Sequence, residues 1–79
     1  MLDCFVACDL ETTGTDPQRD EIIEVCLLKV RGGEVTDRLA TLVRPSAPLR
    51  PAIERLTGIS DVLLAGAPRW AEVRQRVRA

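Results

Sequence analysis

With 79 residues the chain is about half of an ordinary domain of roughly 100–200 residues, which excludes two domains and a large enclosed active site. Its 46% apolar and 29% charged residues suit folding, although a chain this short buries only about 60% of its unfolded surface and is marginal without a metal, a disulfide or a partner. The net charge of −1 conceals a split: residues 1–37 hold nine acids against three bases, and residues 38–79 hold eight arginines against three acids.

The N-terminal run Met1 to Cys8 is apolar, but it lacks a basic leader, carries Asp3 and is too short for a signal peptide, so it predicts a buried strand. Cys4 to Glu11 forms this first strand and ends in Asp9-Leu10-Glu11. Thr12-Thr13-Gly14-Thr15-Asp16-Pro17 then breaks the pattern into a loop. Ile22 to Val30 is apolar at both parities and rich in branched residues, which predicts a central strand covered on both faces. Arg31-Gly32-Gly33-Glu34 supplies a tight hairpin turn into a third strand, Val35 to Val43, whose Thr36, Asp37 and Arg38 mark an edge.

Three short helices come next. Pro51 suits a first helical position, with Ile53 and Leu56 on one face and Gly58 as the stop; Ser60-Asp61 caps a second turn. Pro68 opens a third helix, with Trp70, Val73 and Val77 as its apolar stripe and Glu72 and Arg76 spaced for an ion pair. Arg69, Arg74, Arg76 and Arg78 form either the solvated side of this helix or a face that meets phosphates. The order of elements predicts an α/β or α+β layered fold, a three-stranded antiparallel sheet followed by short helices.

No apolar stretch approaches the about 18 residues of a membrane span; the longest, such as Val62 to Ala67, predict a soluble chain with no membrane partner. Cys4, Cys8 and Cys26 are odd in number and lack a zinc spacing. They are expected as free thiols acting as small core hydrophobes in a reducing, cytoplasmic setting.

Chemistry concentrates at the end of the first strand. Residues at i and i+2 share a face, so Asp9 and Glu11 project two carboxylates together while Leu10 points the other way. Adjacent carboxylates repel unless a proton or cation lies between them, so the pair reads either as two solvated acids at a loop edge or as ligands of a hard cation such as Mg²⁺ or Mn²⁺. Thr12, Thr13 and Gly14 come at once after them; they are either an ordinary polar turn or small hydrogen-bonding groups that admit a nucleotide end. A calcium loop also matches Asp9, Glu11, Thr13, Gly14 and Asp20 in spacing. An apolar strand precedes the acids where a helix is required, however, and the closing glutamate is missing.

Phe5 to Gly14 followed by Ile22-Ile23-Glu24-Val25 resembles the first motif of the DnaQ-like (DEDD) 3′-to-5′ exonucleases. The likeness continues through Leu42-Val43-Arg44-Pro45 and Leu56-Thr57-Gly58-Ile59-Ser60-Asp61 to Ala65-Gly66-Ala67-Pro68. The resemblance implies a ribonuclease-H-like fold and two-metal hydrolysis of 3′-terminal phosphodiesters in proofreading or repair, with Mg²⁺ or Mn²⁺ as cofactor. The substrate implied is a single-stranded DNA 3′ end, with RNA also open, and a DNA polymerase is an implied partner. Asp9 would bridge both ions and Glu11 would bind the water-activating one. Leu10, Thr12, Thr13 and Gly14 would meet the terminal nucleotide, and Leu56 and Thr57 its base and neighbour.

In this family two further aspartates and a histidine or tyrosine complete the site. The chain contains neither histidine nor tyrosine, and Asp61 falls inside the matched helical segment. Residues 1–79 therefore read as the N-terminal part of a single exonuclease domain, a truncated ribonuclease-H-like fold with little turnover unaided. The outer edge of the first strand would then be open to self-association. The alternative is a catalytically inactive remnant that binds nucleic acid or a polymerase.

Overall fold

The computed structural model describes residues 4–78; Met1–Asp3, which begin the apolar N-terminal run, and Ala79 lie outside the described residues. Strands β1 (Cys4–Thr12), β2 (Ile22–Arg31) and β3 (Glu34–Leu42) form an antiparallel sheet in the order β1-β2-β3, with the most apolar strand in the centre as its composition predicts. Gly32 and Gly33 adopt φ of +57° and +81° in the β2–β3 turn. Two successive left-handed residues give a turn whose twist matches the flanking strands, and glycine takes that geometry without a Cβ penalty. β1 pairs with β2 from Cys4↔Arg31 to Glu11↔Glu24. The register then slips between Glu11 and Thr12, so that Thr12 meets Ile22.

Helices α1 (Pro51–Thr57), α2 (Asp61–Leu64) and α3 (Trp70–Arg78) succeed the sheet. The first two end and begin on the predicted residues. Pro51 starts α1, and Gly58 stops it at φ +74° with its N–H donated to the Glu54 carbonyl at 2.8 Å. The Ser60 hydroxyl accepts the Leu63 N–H at 3.3 Å and caps α2. α3 begins two residues after Pro68. The Pro68 carbonyl accepts the Arg44 N–H at 2.9 Å, and the Arg69 carbonyl takes the first helical amides instead.

The core lies between the sheet and the helices in two adjoining groups. Ile23 packs with Leu49, Ile53, Ile59 and Leu64, and Val25 packs with Val43 and Val73. Ile23 and Val73 are fully enclosed, at 0% exposure. Pro45 is buried as well, where the chain leaves the sheet.

Several expectations need correction. β2 is fully covered on one side only: Ile23 and Val25 are buried, whereas Cys26, Leu28 and Val30 on the other side are half-buried, because no described element packs over them. Cys4 and Cys8 are exposed and Cys26 is half-buried, so the thiols are not core residues; β1 has a neighbour on one flank alone among the described residues. Ile53 is buried but Leu56 is 81% exposed, so the two do not share the packed face of α1. In α3 the stripe docks through Val73, while Trp70 and Val77 keep 40% and 44% of their surface. Glu72 and Arg76 do not pair: among the described residues the ion pair within 4.0 Å joins Arg50 and Asp20. Exposed pairs of long side chains gain too little attraction to repay their lost freedom.

The described residues measure 41 × 23 × 23 Å with a radius of gyration of 14.1 Å. A compact domain of this length would have about 11.6 Å. The excess reflects a sheet clothed on one side. No helix among the described residues is long and apolar enough to cross a membrane.

Candidate metal and nucleic-acid site

The alternation of β1 places Asp9 and Glu11 on one face and Leu10, which is 43% exposed, on the other. Residues directly opposite on antiparallel strands share a face, so the register sets Cys26 beside Asp9 and Glu24 beside Glu11. Asp9 is exposed, and Glu11 and Glu24 are half-buried. Two like charges directly opposite are unfavourable by a few tenths to about 1 kcal/mol, and a cation between them removes that cost. Glu24 does not stand out in the sequence because its neighbour depends on register, which slips just after Glu11.

Among the described residues no hydrogen bond or ion pair reaches the Asp9 or Glu11 carboxylate, so both keep their oxygens free for a hard cation. The donor chemistry fits Mg²⁺ or Mn²⁺, but it fits as part of a site. No group of three His, Cys, Asp or Glu among the described residues is gathered closely enough to hold an ion.

The loop from Thr12 to Glu21 is closed from within. The Thr12 hydroxyl donates to the Gly14 carbonyl at 2.6 Å. Thr13 commits every polar group it has. Its N–H donates to the Glu21 carbonyl at 2.9 Å, its hydroxyl donates to Asp20 Oδ1 at 3.0 Å and accepts the Glu21 N–H at 2.9 Å, and its carbonyl accepts from the Arg50 guanidinium at 2.9 Å. Both threonine hydroxyls are thus engaged within the turn. Gly14 lies against Asp20 so closely that a Cβ would come within 2.5 Å of Oδ2. The Asp16 N–H, at 2.8 Å, and then the Thr13 hydroxyl hold the Asp20 carboxyl below the usual carboxylate range. Partial desolvation opposes this, and the positive charges of Arg50 and Arg19 add to it.

Leu56 and Thr57 stand at the far end of α1, roughly 9 Å along the helix axis from Arg50. The Thr57 hydroxyl is spent on local bonds, donating to the Ile53 carbonyl at 2.8 Å and accepting the Ile59 N–H at 3.2 Å, while Leu56 projects into solvent. Asp9, Glu11 and the Thr12–Gly14 turn thus sit together at one sheet end, and Arg50 ties that end to the start of α1. Sequence reasoning missed Arg50, and it met Asp20 only as a rejected calcium ligand. Arg74, Arg76 and Arg78 are exposed along α3, whereas Arg69 donates to the Pro45 carbonyl at 3.1 Å.

The chain is thus a three-stranded antiparallel sheet followed by short helices, with an Asp-x-Glu pair near the end of its first strand. The chain belongs to the exonuclease family, whose description "Exonuclease" matches residues 6–79. It is 41% identical over 69 residues to DNA polymerase III subunit epsilon of Aquifex aeolicus, covering 87% of this chain and 34% of that protein. It is 44% identical over 69 residues to the PolC-type DNA polymerase III of Bacillus cereus, covering 87% of this chain and 5% of that protein. The chain thus spans about a third of the length of the first relative and a small fraction of the second. Among solved structures, the nuclease domain of 3′hExo, a DEDDh family member, bound to rAMP, superposes with a TM-score of 0.82 at 26% identity, over 96% of this chain and 42% of that one. The predicted sheet-then-helices architecture and the DnaQ-like family are therefore established.

Proposed function

We propose that residues 1–79 are the N-terminal part of a single exonuclease domain that hydrolyses 3′-terminal phosphodiesters, of the proofreading or repair type, and that the 79 residues alone turn over little. The observation that carries this reading is the pair of unengaged carboxylates, Asp9 and Glu11, on one face at the end of β1. Both would serve as metal ligands and form the catalytic pair. Divalent cations bound there would supply an activated water and stabilise the leaving oxygen. The chain's own residues bind and orient. Exposed Asp9 and half-buried Glu11 would hold the cations through their unengaged carboxylates. Thr12, Thr13 and Gly14 would form the wall for the terminal nucleotide, with the two threonines shaping the turn through hydroxyls already engaged within it, and Leu10, whose side chain points to the other face, would meet the nucleotide through its backbone. Exposed Leu56 offers an apolar surface to a base, and Thr57 fixes the helix end beneath it.

The polymerase relatives support a single-stranded DNA 3′ end as substrate and a DNA polymerase as partner. The solved neighbours, a 3′-exonuclease recognising a histone mRNA stem-loop among them, keep RNA within the same chemistry. The test is Mg²⁺- or Mn²⁺-dependent release of nucleoside monophosphates from a 3′-labelled oligonucleotide, after complementing the chain with the remaining part of a relative's exonuclease domain. Release lost in Asp9→Ala and Glu11→Ala is expected; no metal-dependent release from the complemented domain would overturn the reading.

A catalytically inactive remnant that binds nucleic acid or a polymerase is favoured by a separate observation. Arg74, Arg76 and Arg78 lie exposed along α3 and form a cationic face suited to phosphates. Salt-sensitive oligonucleotide binding that survives Asp9→Ala and Glu11→Ala, with no release, would select this second reading.

A further inference from the structure

We propose that Asp20 and Arg50 are positioning residues: together they lock the Thr12–Glu21 loop and tie it to the start of α1, which fixes Glu11 at the metal side relative to the helix that carries Leu56 and Thr57. This rests on the functional reading above and extends it to residues outside the Asp-x-Glu motif.

Glu11 is the last β1 residue in the regular register. The pairing slips immediately after it, so the strand ladder alone does not hold the loop beyond Glu11. Asp20 holds it instead. One of its oxygens accepts the Thr13 hydroxyl at 3.0 Å, and the other accepts the Asp16 N–H at 2.8 Å. Both residues lie in the span between Glu11 and the start of β2, so a single carboxylate closes the loop from two directions. The missing side chain at Gly14 is what allows that carboxylate to sit so close to the backbone.

Arg50 supplies the outer link. It occupies the N-cap position of α1, and its guanidinium donates to the Thr13 carbonyl at 2.9 Å across 37 positions of sequence. Its approach to Asp20 is 4.0 Å with the Arg50 side chain 70% exposed, so charge attraction contributes little and the hydrogen bond provides the coupling. Arg50→Lys, which keeps the charge but loses the planar fork, therefore separates the two contributions.

The experiment has two readouts: amide hydrogen exchange of the loop in the 79-residue chain followed by NMR, and titration with Mn²⁺ alone of the chain complemented with the remaining part of a relative's exonuclease domain. In Asp20→Asn one of the two oxygens becomes an amide nitrogen, so the side chain can accept from Thr13 or from Asp16 but not from both. The Thr13 and Asp16 amides are expected to exchange about tenfold faster while the Val25 and Val43 amides do not change. Mn²⁺ binding is expected to weaken by about tenfold, the scale seen when a residue that orients a metal ligand is lost. Arg50→Ala and Arg50→Lys should both loosen the loop, with smaller effect. Thr13→Val should resemble Asp20→Asn, and Thr13→Ser should restore protection.

Loop exchange unchanged in Asp20→Asn and in Arg50→Ala would overturn the clamp. Faster loop exchange with Mn²⁺ affinity unchanged would reduce Asp20 to a structural staple and overturn its positioning role. Failure of the complemented parent domain to bind Mn²⁺ in a manner dependent on Asp9 and Glu11 would instead strike the functional reading and the metal-side role with it, while the exchange data still decide whether the clamp exists.

Discussion

Strands β1 and β2 are built from the same kinds of residue and meet opposite fates. Phe5, Val6 and Leu10 of β1 remain 43%, 60% and 43% exposed, while Ile23 and Val25 of β2 are enclosed. The two strands are paired residue for residue along most of their length, so local conformation does not separate them. Position does. β2 has a strand on each flank and helices above Ile23 and Val25, whereas among the described residues β1 has one flanking strand. Apolar composition prescribes that a strand will be covered; what covers it is decided by the rest of the fold.

The sharpest way to break this comparison is to truncate the enclosed strand. Ile23→Ala removes most of a side chain that packs with Leu49, Ile53, Ile59 and Leu64, and should cost about 2–5 kcal/mol in urea unfolding. For a chain with so small a core this is a large share of its total stability. A loss no greater than that of Val6→Ala would show that β2 and β1 are equally loosely held.

Next comes Gly14→Ala, which tests the loop between the two strands. The added methyl meets the Asp20 carboxylate, and the carboxylate can yield only by giving up its bonds to Thr13 and Asp16. The expected result is a Tm lower by about 4–8 °C, with loop amides deprotected ahead of the β2 amides. An unchanged Tm would mean that the close approach of Gly14 and Asp20 carries no constraint.

These features differ in how far the sequence discloses them. The Gly32-Gly33 turn, Pro51, Gly58 and Ser60 were legible because each answers to a rule within one or two residues: a left-handed φ, a missing N–H or a capping hydroxyl. Asp9 and Glu11 were legible for the same reason, since the two-residue period of a strand puts them on one face. The Glu11–Glu24 juxtaposition was not, because it depends on a register that slips at the next residue. Nor was the bond from Arg50 to Thr13, which joins residues far apart in the chain. The opposite fates of Ile53 and Leu56 were hidden as well: three positions apart on a seven-residue helix, they differ only by which side meets Ile23.

A smaller effect comes from acid. The Asp20 carboxyl is held below the usual carboxylate value of about 3.9, so its folded form prefers to be charged. Such a group contributes fully above the unfolded pKa, and the contribution is lost as pH falls through the depressed folded value. Loop protection should therefore hold between about pH 7 and 5 and decline only in stronger acid. In Asp20→Asn that decline should disappear, leaving uniformly weak protection across the range. A loop that opens near neutral pH in the parent chain would contradict this assignment.

The smallest effect on stability, and the most direct probe of the exposed strand, is Val6→Lys. Val6 is 60% exposed on β1, so a lysine there keeps its charge in water and should change stability by no more than about 0.5 kcal/mol. Its effect on association should be larger. Amides and carbonyls on the outer edge of a strand seek partners, and an apolar edge without charges favours pairing with another copy. Sedimentation of the parent chain is expected to show concentration-dependent self-association, and Val6→Lys is expected to suppress it while leaving unfolding unchanged. A parent chain that stays monomeric at high concentration would mean that the exposed apolar residues of β1 are tolerated as ordinary surface.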